Sequence, residues 1–195
     1  MPSEAVILKI GSNKAPDYAR RVAGAMTWQL REHGMFRARA VKSRAVSVAV
    51  SSIATCNKRV AAAGVVLSVE PSFSATEEAR SNAIEMVVKE SESERPAEML
   101  EYKVSGKRRY DKNLAVKLAE ALAVPARGGK GIVMKCIGAA AAYRAMLGAT
   151  MARGLIYPNG MDAVVVPFWE TIIEENGSNT SVLLLEFWPK KRMDS

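Results

Sequence analysis

Histidine occurs once in the 195-residue chain, cysteine twice, and only 6% of the residues are aromatic. Cys56 and Cys136 stand far apart in apolar surroundings with no second ligand pair near either, which argues against a zinc site or a disulfide framework. Both read as buried thiols of a reducing compartment, and neither has an activating partner. His33 falls in the last turn of a helix, a place for meeting free carbonyls rather than for base catalysis. The adjacent Glu174 and Glu175 read as a solvated hairpin tip. No catalytic residue, metal or cofactor is therefore expected, and the protein reads as a non-enzyme. Long apolar runs are missing too, and the first ten residues lack a signal-peptide core. The expectation is a soluble intracellular protein of cytoplasm, nucleus or an organelle, without a membrane partner.

What the chain does have is aliphatic residues and positive charge. Hydrophobic types make up 49%, enough for a substantial core of Val, Ile, Leu, Met and Ala. The formal net charge is +8 and the sequence pI about 9.6. It is unevenly placed: residues 1–71 carry +7, residues 72–99 carry −4 and residues 100–195 carry +5. Two basic segments flanking an acidic one suit a polyanionic partner, nucleic acid above all.

The chain also reads as one module written twice. Pro71 and Pro167 lie 96 positions apart, Lys9 and Lys103 94 apart, and the apolar pattern around each pair repeats. In residues 1–90, Ala5–Ile10 is a strand and Gly11-Ser12-Asn13 a turn. A helix runs from Asp17 to His33, closed by Gly34. Phe36–Val41 is the next strand, with Arg37 and Arg39 on one face needing water or phosphate. A small-residue helix spans Arg44–Ala63, Val65–Val69 is a strand, and a hairpin loop after Pro71 leads to a strand at Ala83–Lys89. Residues 91–98 read as a charged linker. In residues 99–195 the order recurs: strand Met99–Ser105, turn 106–109, helix from Asp111, loop Pro125–Gly131, strand Ile132–Ile137, an alanine-rich helix to Gly154, then strands from Asp162 and from Ser181 to Trp188. This is an α+β pattern, βαβαββ in each module. Trp169, Phe187 and Trp188 read as packing groups rather than base-stacking ones.

The segments YKVSGKRRYDKNLAVKLAEAL, KCIGAAAAYRAM and MARGLIYPNGMDAVVVPFW of the second module resemble the stage V sporulation protein S family, within the Alba-like superfamily. The first module keeps the element order but lacks A-R-G and P-x-G-x-D, and its KSRAVSVAV is similar to the basic turn of archaeal Alba proteins. The resemblance implies a sheet with two helices per module, binding of RNA or DNA through basic loops, and dimerisation, here as an intrachain pseudo-dimer with further oligomerisation open.

Carried onto this sequence, the resemblance makes the first turn of each module a phosphate contact, through Lys14 and through Lys107, Arg108 and Arg109, where a helix N-terminus adds its own positive end. The second turn supplies Arg39, Lys42 and Arg44 in module one. Module two has Lys135 and Arg144, with Ala139 and Ala140 at the turn itself. Arg127 and Lys130 sit on a Gly-rich loop without phosphate-loop spacing, which excludes nucleotide hydrolysis and leaves a backbone-touching role. The hairpins carry Glu77, Glu78, Glu174 and Glu175, which repel phosphate and favour RNA over a groove of duplex DNA. The leading expectation is a non-catalytic nucleic-acid-binding protein, more for RNA than DNA. The alternative is a structural subunit of a large ribonucleoprotein, such as an organellar ribosome, with protein partners. The modules are expected to divide the work, with the pseudo-dimer bringing the second turn of module one and the first turn of module two onto one surface.

Overall fold

A computed structural model describes residues 7–13, 15, 17–74, 83–106, 112–173 and 177–192. Module one runs β1 (Ile7–Ile10), α1 (Tyr18–His33), β2 (Met35–Ala40), α2 (Lys42–Val60), β3 (Leu67–Phe73) and β4 (Ile84–Glu90). Module two repeats it with β5 (Met99–Val104), α3 (Lys112–Arg127), β6 (Gly131–Cys136), α4 (Ala139–Ile156), β7 (Met161–Ile173) and β8 (Asn179–Lys191). The βαβαββ expectation holds in both halves. All the strands form one sheet in the order β1-β2-β4-β3-β7-β8-β6-β5, so the halves join edge to edge through β3 and β7.

Alternation along the strands sets the layers. Phe36, Ala38 and Ala40 of β2, Ile84, Met86 and Val88 of β4, and Ile132, Met134 and Cys136 of β6 are buried on the face that carries the helices. One apolar cluster runs through both modules under α1, α2, α4 and α3. The small residues read from the sequence explain how closely the helices lie. A Cβ on Gly148 of α4 would stand 2.8 Å from Leu118 of α3, and Ala45 and Ala49 of α2 and Ala145 and Ala149 of α4 are all essentially inaccessible.

The seam between the modules has twofold logic. β3 and β7 are antiparallel and pair at Val69↔Val165, residues 96 positions apart that occupy the same place in the two repeats. A residue meeting its own counterpart is what a twofold interface requires. Two residues to either side, the register sets Pro167 opposite Leu67 and Pro71 opposite Ala163, and proline has no N–H to give a ladder. Side chains from the helices fill the gap. On one side buried Asn57 of α2 accepts from Leu67 N–H (2.6 Å) and donates through Nδ2 to the carbonyls of Leu67 (3.0 Å) and Pro167 (2.9 Å). On the other, Arg153 of α4 donates to the Pro71 carbonyl (2.5 Å) and grips Asp162 with two bonds of 2.8 and 3.0 Å, while Asp162 accepts from Ala163 N–H (2.7 Å). Arg153 of A-R-G and Asp162 of P-x-G-x-D thus act as one unit. Module one, with Asn57 and Val66 at the equivalent places, substitutes a single carboxamide for both.

Several boundaries differ from the sequence reading. α3 continues through Pro125 to Arg127, so the expected 125–131 loop is shorter. Pro125 leaves the Ala121 carbonyl without its helical donor, and the Tyr102 hydroxyl approaches that carbonyl at 3.4 Å. α4 passes Gly154 to end at Ile156. Asp17 does not cap α1 with its side chain but pairs with Arg21 at 3.1 Å. Residues 91–98 are a strap rather than a free spacer. β4 and β5 are five inter-strand steps apart in the sheet, about 24 Å at ~4.8 Å per step, and the nine steps of chain from Glu90 to Met99 reach about 30 Å when extended. The strap crosses the helix-free face. Ser91 N–H donates to the Val66 carbonyl (2.7 Å), and Arg95 holds Glu186 with two bonds of 2.9 Å. Glu186 also accepts from Trp188 Nε1 (2.8 Å), and Trp188, Val164 and Val166 form a second small buried cluster on this face.

Two consequences are measurable. Asn57→Ala strands one N–H and two carbonyls inside the seam and should cost about 2–4 kcal/mol in urea unfolding. For Asp162, burial raises the carboxyl pKa but the Arg153 guanidinium and the Ala163 N–H outweigh it, leaving the pKa below its ordinary value. Its contribution is complete above the unfolded value and lost as pH falls through the lower folded one. Asp162→Asn should therefore be less stable at neutral pH and show a flatter loss of stability below about pH 4.

Candidate nucleic-acid interface

Lys14, Lys107, Arg108 and Arg109 lie outside the described residues, as do Glu77, Glu78, Glu174 and Glu175. The other basic candidates separate into two groups. Most are engaged within the fold. Arg39 meets Glu85, directly across from it on β4, through Nε (3.0 Å) and Nη2 (2.5 Å), and Arg37 reaches the same carboxylate at 3.8 Å. The Arg39 guanidinium, with burial opposing it, holds the Glu85 pKa below the usual carboxylate value. The need for water or phosphate inferred for this strand face is thus met by a carboxylate for Arg39. Arg144 is buried and donates to the Ser105 carbonyl, tying α4 to the end of β5 instead of facing a ligand. Arg127 donates to Asn159 Oδ1 (3.1 Å) and the Leu155 carbonyl (3.3 Å), closing the end of α4. Lys130 pairs with Glu98 at 2.6 Å and Lys135 with Glu101 at 3.0 Å, both in exposed settings, and the Glu101 carboxylate raises the Lys135 pKa. Exposed pairs of this kind are worth little and exchange readily.

Lys42 and Arg44 form the second group. Both are exposed in the first turn of α2, and neither has an ion pair to a described residue. Lys42 has φ 70°, the single positive value among described non-glycine residues. The equivalent place in module two, 96 positions on, is Gly138 with φ 84°. Module one therefore holds a lysine in a backbone region that favours glycine, at a cost of roughly 1–2 kcal/mol. The repeat sets Arg44 at the place of Ala140, so the basic turn of module one faces Gly138 and Ala140 rather than Ala139 and Ala140.

The sequence reading passed over two lysines. Lys9 and Lys103 are exposed on the helix-free face, and neither has an ion pair to a described residue. Each lies beside a cation on the neighbouring parallel strand, in the registers Lys9↔Arg39 and Lys103↔Lys135. Their repetition between modules was the available signal.

The basic residues of the module-two turn lie outside the described residues, but the strands leading to the two turns run apart. β3 and β7 are antiparallel, and β1 and β2 run opposite to β5 and β6. The β2–α2 turn of module one and the chain leaving β5 in module two lie at opposite ends of the sheet.

The repeat, the shared strand registers and the placement of Arg153 and Asp162 coincide with a family match: the model of stage V sporulation protein S (SpoVS) matches residues 6–91 and again residues 102–188. The chain belongs to the SpoVS family. It does so as a tandem repeat, and no curated protein matches it. Within this SpoVS repeat both thiols are turned inward. Cys56 donates to the Ala23 carbonyl at 3.5 Å and Cys136 to the Met134 carbonyl at 3.6 Å. Burial pushes both thiols up, Cys136 to about 12. His33 stands edge-on to Trp28, ring centroids 6.2 Å apart. Phe187 and Trp188 are buried as packing groups, whereas Trp169 is half-exposed and donates to Thr55 Oγ1 at 3.3 Å. No described helix is long and apolar enough to cross a membrane.

The backbone of Lys42 gives a direct test. Lys42→Gly should raise stability by about 0.5–1 kcal/mol, relief of the left-handed strain exceeding the entropy cost of glycine, and Lys42→Ala should not. Urea midpoints of the two variants, compared with the parent chain, provide the measurement.

Proposed function

We propose that the chain is a non-catalytic nucleic-acid-binding protein, with RNA its preferred partner, that holds phosphates through its basic turns. The observation that carries this reading is Lys42. A left-handed lysine, exposed and unpaired among the described residues, occupies the position where the other repeat has glycine. Strain kept at a charged surface residue is characteristic of a working site. Arg44, two residues on, adds a second cation to the same helix start, where unpaired backbone N–H groups and the helix dipole already attract anions. The preference for RNA rests on the hairpin glutamates, whose charge opposes entry into a duplex groove. A polyanion touching the corresponding ends of both modules has to extend along the sheet, which suits a flexible single strand.

A second reading, a fixed subunit of a ribonucleoprotein assembly, is favoured by the edges. β1 and β5 terminate the sheet, each with one edge unpaired among the described residues, and Ile7 at one end and Ile137 and Ile172 at the other are exposed apolar groups that a partner would cover. Sedimentation of native extract separates the two, since obligatory migration with a large particle supports the subunit.

Salt dependence tests the main reading. In anisotropy titrations with a single-stranded RNA, the double variant Lys42→Ala/Arg44→Ala should bind more weakly and reduce the log–log salt slope by roughly 1.4, two phosphate contacts at about 0.7 each. Arg127→Ala, whose side chain is committed to α4, should leave that slope unchanged. An affinity independent of salt, or no binding to any RNA or DNA, would overturn the proposal.

A further inference from the structure

We infer that a groove on the helix-free face of module two is a nucleotide subsite for single-stranded RNA, suited to guanine. This rests on the RNA-binding reading and adds a place where a base, and not only a phosphate, is held. The groove has a volume of about 530 Å³ and is lined by Lys103, Lys135, Ile137, Ile172 and Val182 together with the Ser105–Gly106 chain.

Its chemistry is graded from one side to the other. Lys103 and Lys135 stand side by side on β5 and β6, which are about 4.8 Å apart. Lys103 has no ion pair to a described residue, and the Glu101 partner of Lys135 is 65% exposed, so a phosphate can displace it. The floor is apolar, with Ile137 56% and Ile172 38% exposed. Behind the floor, outside the groove's own lining, Glu170 pairs in register with Val182 and is near enough to Lys135 to act on its charge. Its Oε2 is buried and has no hydrogen-bond partner among the described residues. Cations, an apolar platform and an orphan acceptor just behind it complement a nucleotide: phosphate, base face, and an edge bearing N–H donors. Guanine presents two such donors on one edge and fits a carboxylate best. Duplexes hide both the face and the edge of the base, which restricts the site to single strands.

The other repeat lacks this arrangement. Its counterparts of Lys103 and Lys135 are Lys9 and Arg39, but Glu85 neutralises Arg39 from the position where module two has Leu184. Val41 and Ala83 replace Ile137 and Val182, so the floor is smaller. The cation pair is common to both modules, whereas the base platform belongs to module two.

The experiment is a methyl-NMR titration of the full chain, labelled at isoleucine δ1, with GMP, UMP and polyglutamate as separate probes. GMP should move the Ile137 and Ile172 methyls at lower concentration than UMP. Lys103→Ala should weaken both nucleotides about fivefold, and Glu170→Gln should abolish the preference for GMP while leaving UMP unchanged. Methyls that stay put with GMP, or that respond to polyglutamate in its place, overturn the inference. RNA binding with silent methyls removes the groove and leaves the phosphate-binding reading standing. GMP at the groove of a chain that binds no RNA keeps the nucleotide site and removes the broader function.

Discussion

Two prolines in the two central strands set the terms for the rest of this molecule. Pro71 and Pro167 take N–H donors out of the one ladder that joins the halves, leaving β3 and β7 with Val69↔Val165 as their shared pair. A sheet interrupted at its middle would expose carbonyls in the driest part of the protein, where each unpaired group costs about 1–3 kcal/mol. The solution comes from the helices above: Asn57 on one side, Arg153 with Asp162 on the other, each supplying a donor to the proline carbonyl of the opposite module. The helices α2 and α4 are thereby fixed to the sheet and to each other's half.

The same twofold relation shapes the surface. Antiparallel pairing sends the corresponding turns of the modules to opposite ends of the sheet. They are also unlike each other. Module one concentrates charge at the start of α2, with a strained lysine, and spends the cation of its strand face on Glu85. Module two places glycine and alanine at that turn and opens an apolar groove beside its strand lysines. The two repeats thus keep one fold while presenting different surface chemistry.

Much of this was legible in the residues. Apolar alternation and the glycine stops gave the element order, and the 96-residue spacing of the prolines gave the repeat. A-R-G and P-x-G-x-D marked the family, yet their joint purpose was not legible, because Arg153 and Asp162 act on the carbonyl of Pro71, 82 residues from the arginine. Arg39 shows the same limit. Alternation correctly put it on the helix-free face, but the carboxylate that neutralises it arrives from β4, 46 residues away. Arg144 looked like a surface cation at a helix start and is instead a buried tie to Ser105. Lys9 and Lys103 served as markers of the repeat, and their exposure follows only from the position of β1 and β5 at the sheet edges. Charge type is written in sequence, whereas charge availability depends on which acid the topology brings alongside.

The strap across the helix-free face, nearly extended and anchored by Arg95 on Glu186, has a consequence for assembly. By joining β4 to β5 within one polypeptide it turns the meeting of the two halves into an intramolecular event, with an effective concentration in the millimolar range or above. The seam combines one bridging strand pair and its repaired carbonyls with the apolar cluster shared by the halves, and within one chain it no longer has to serve two identical partners. Freed from self-complementarity, the two sides of the seam can differ, and an arginine–aspartate pair serves one where a single asparagine serves the other.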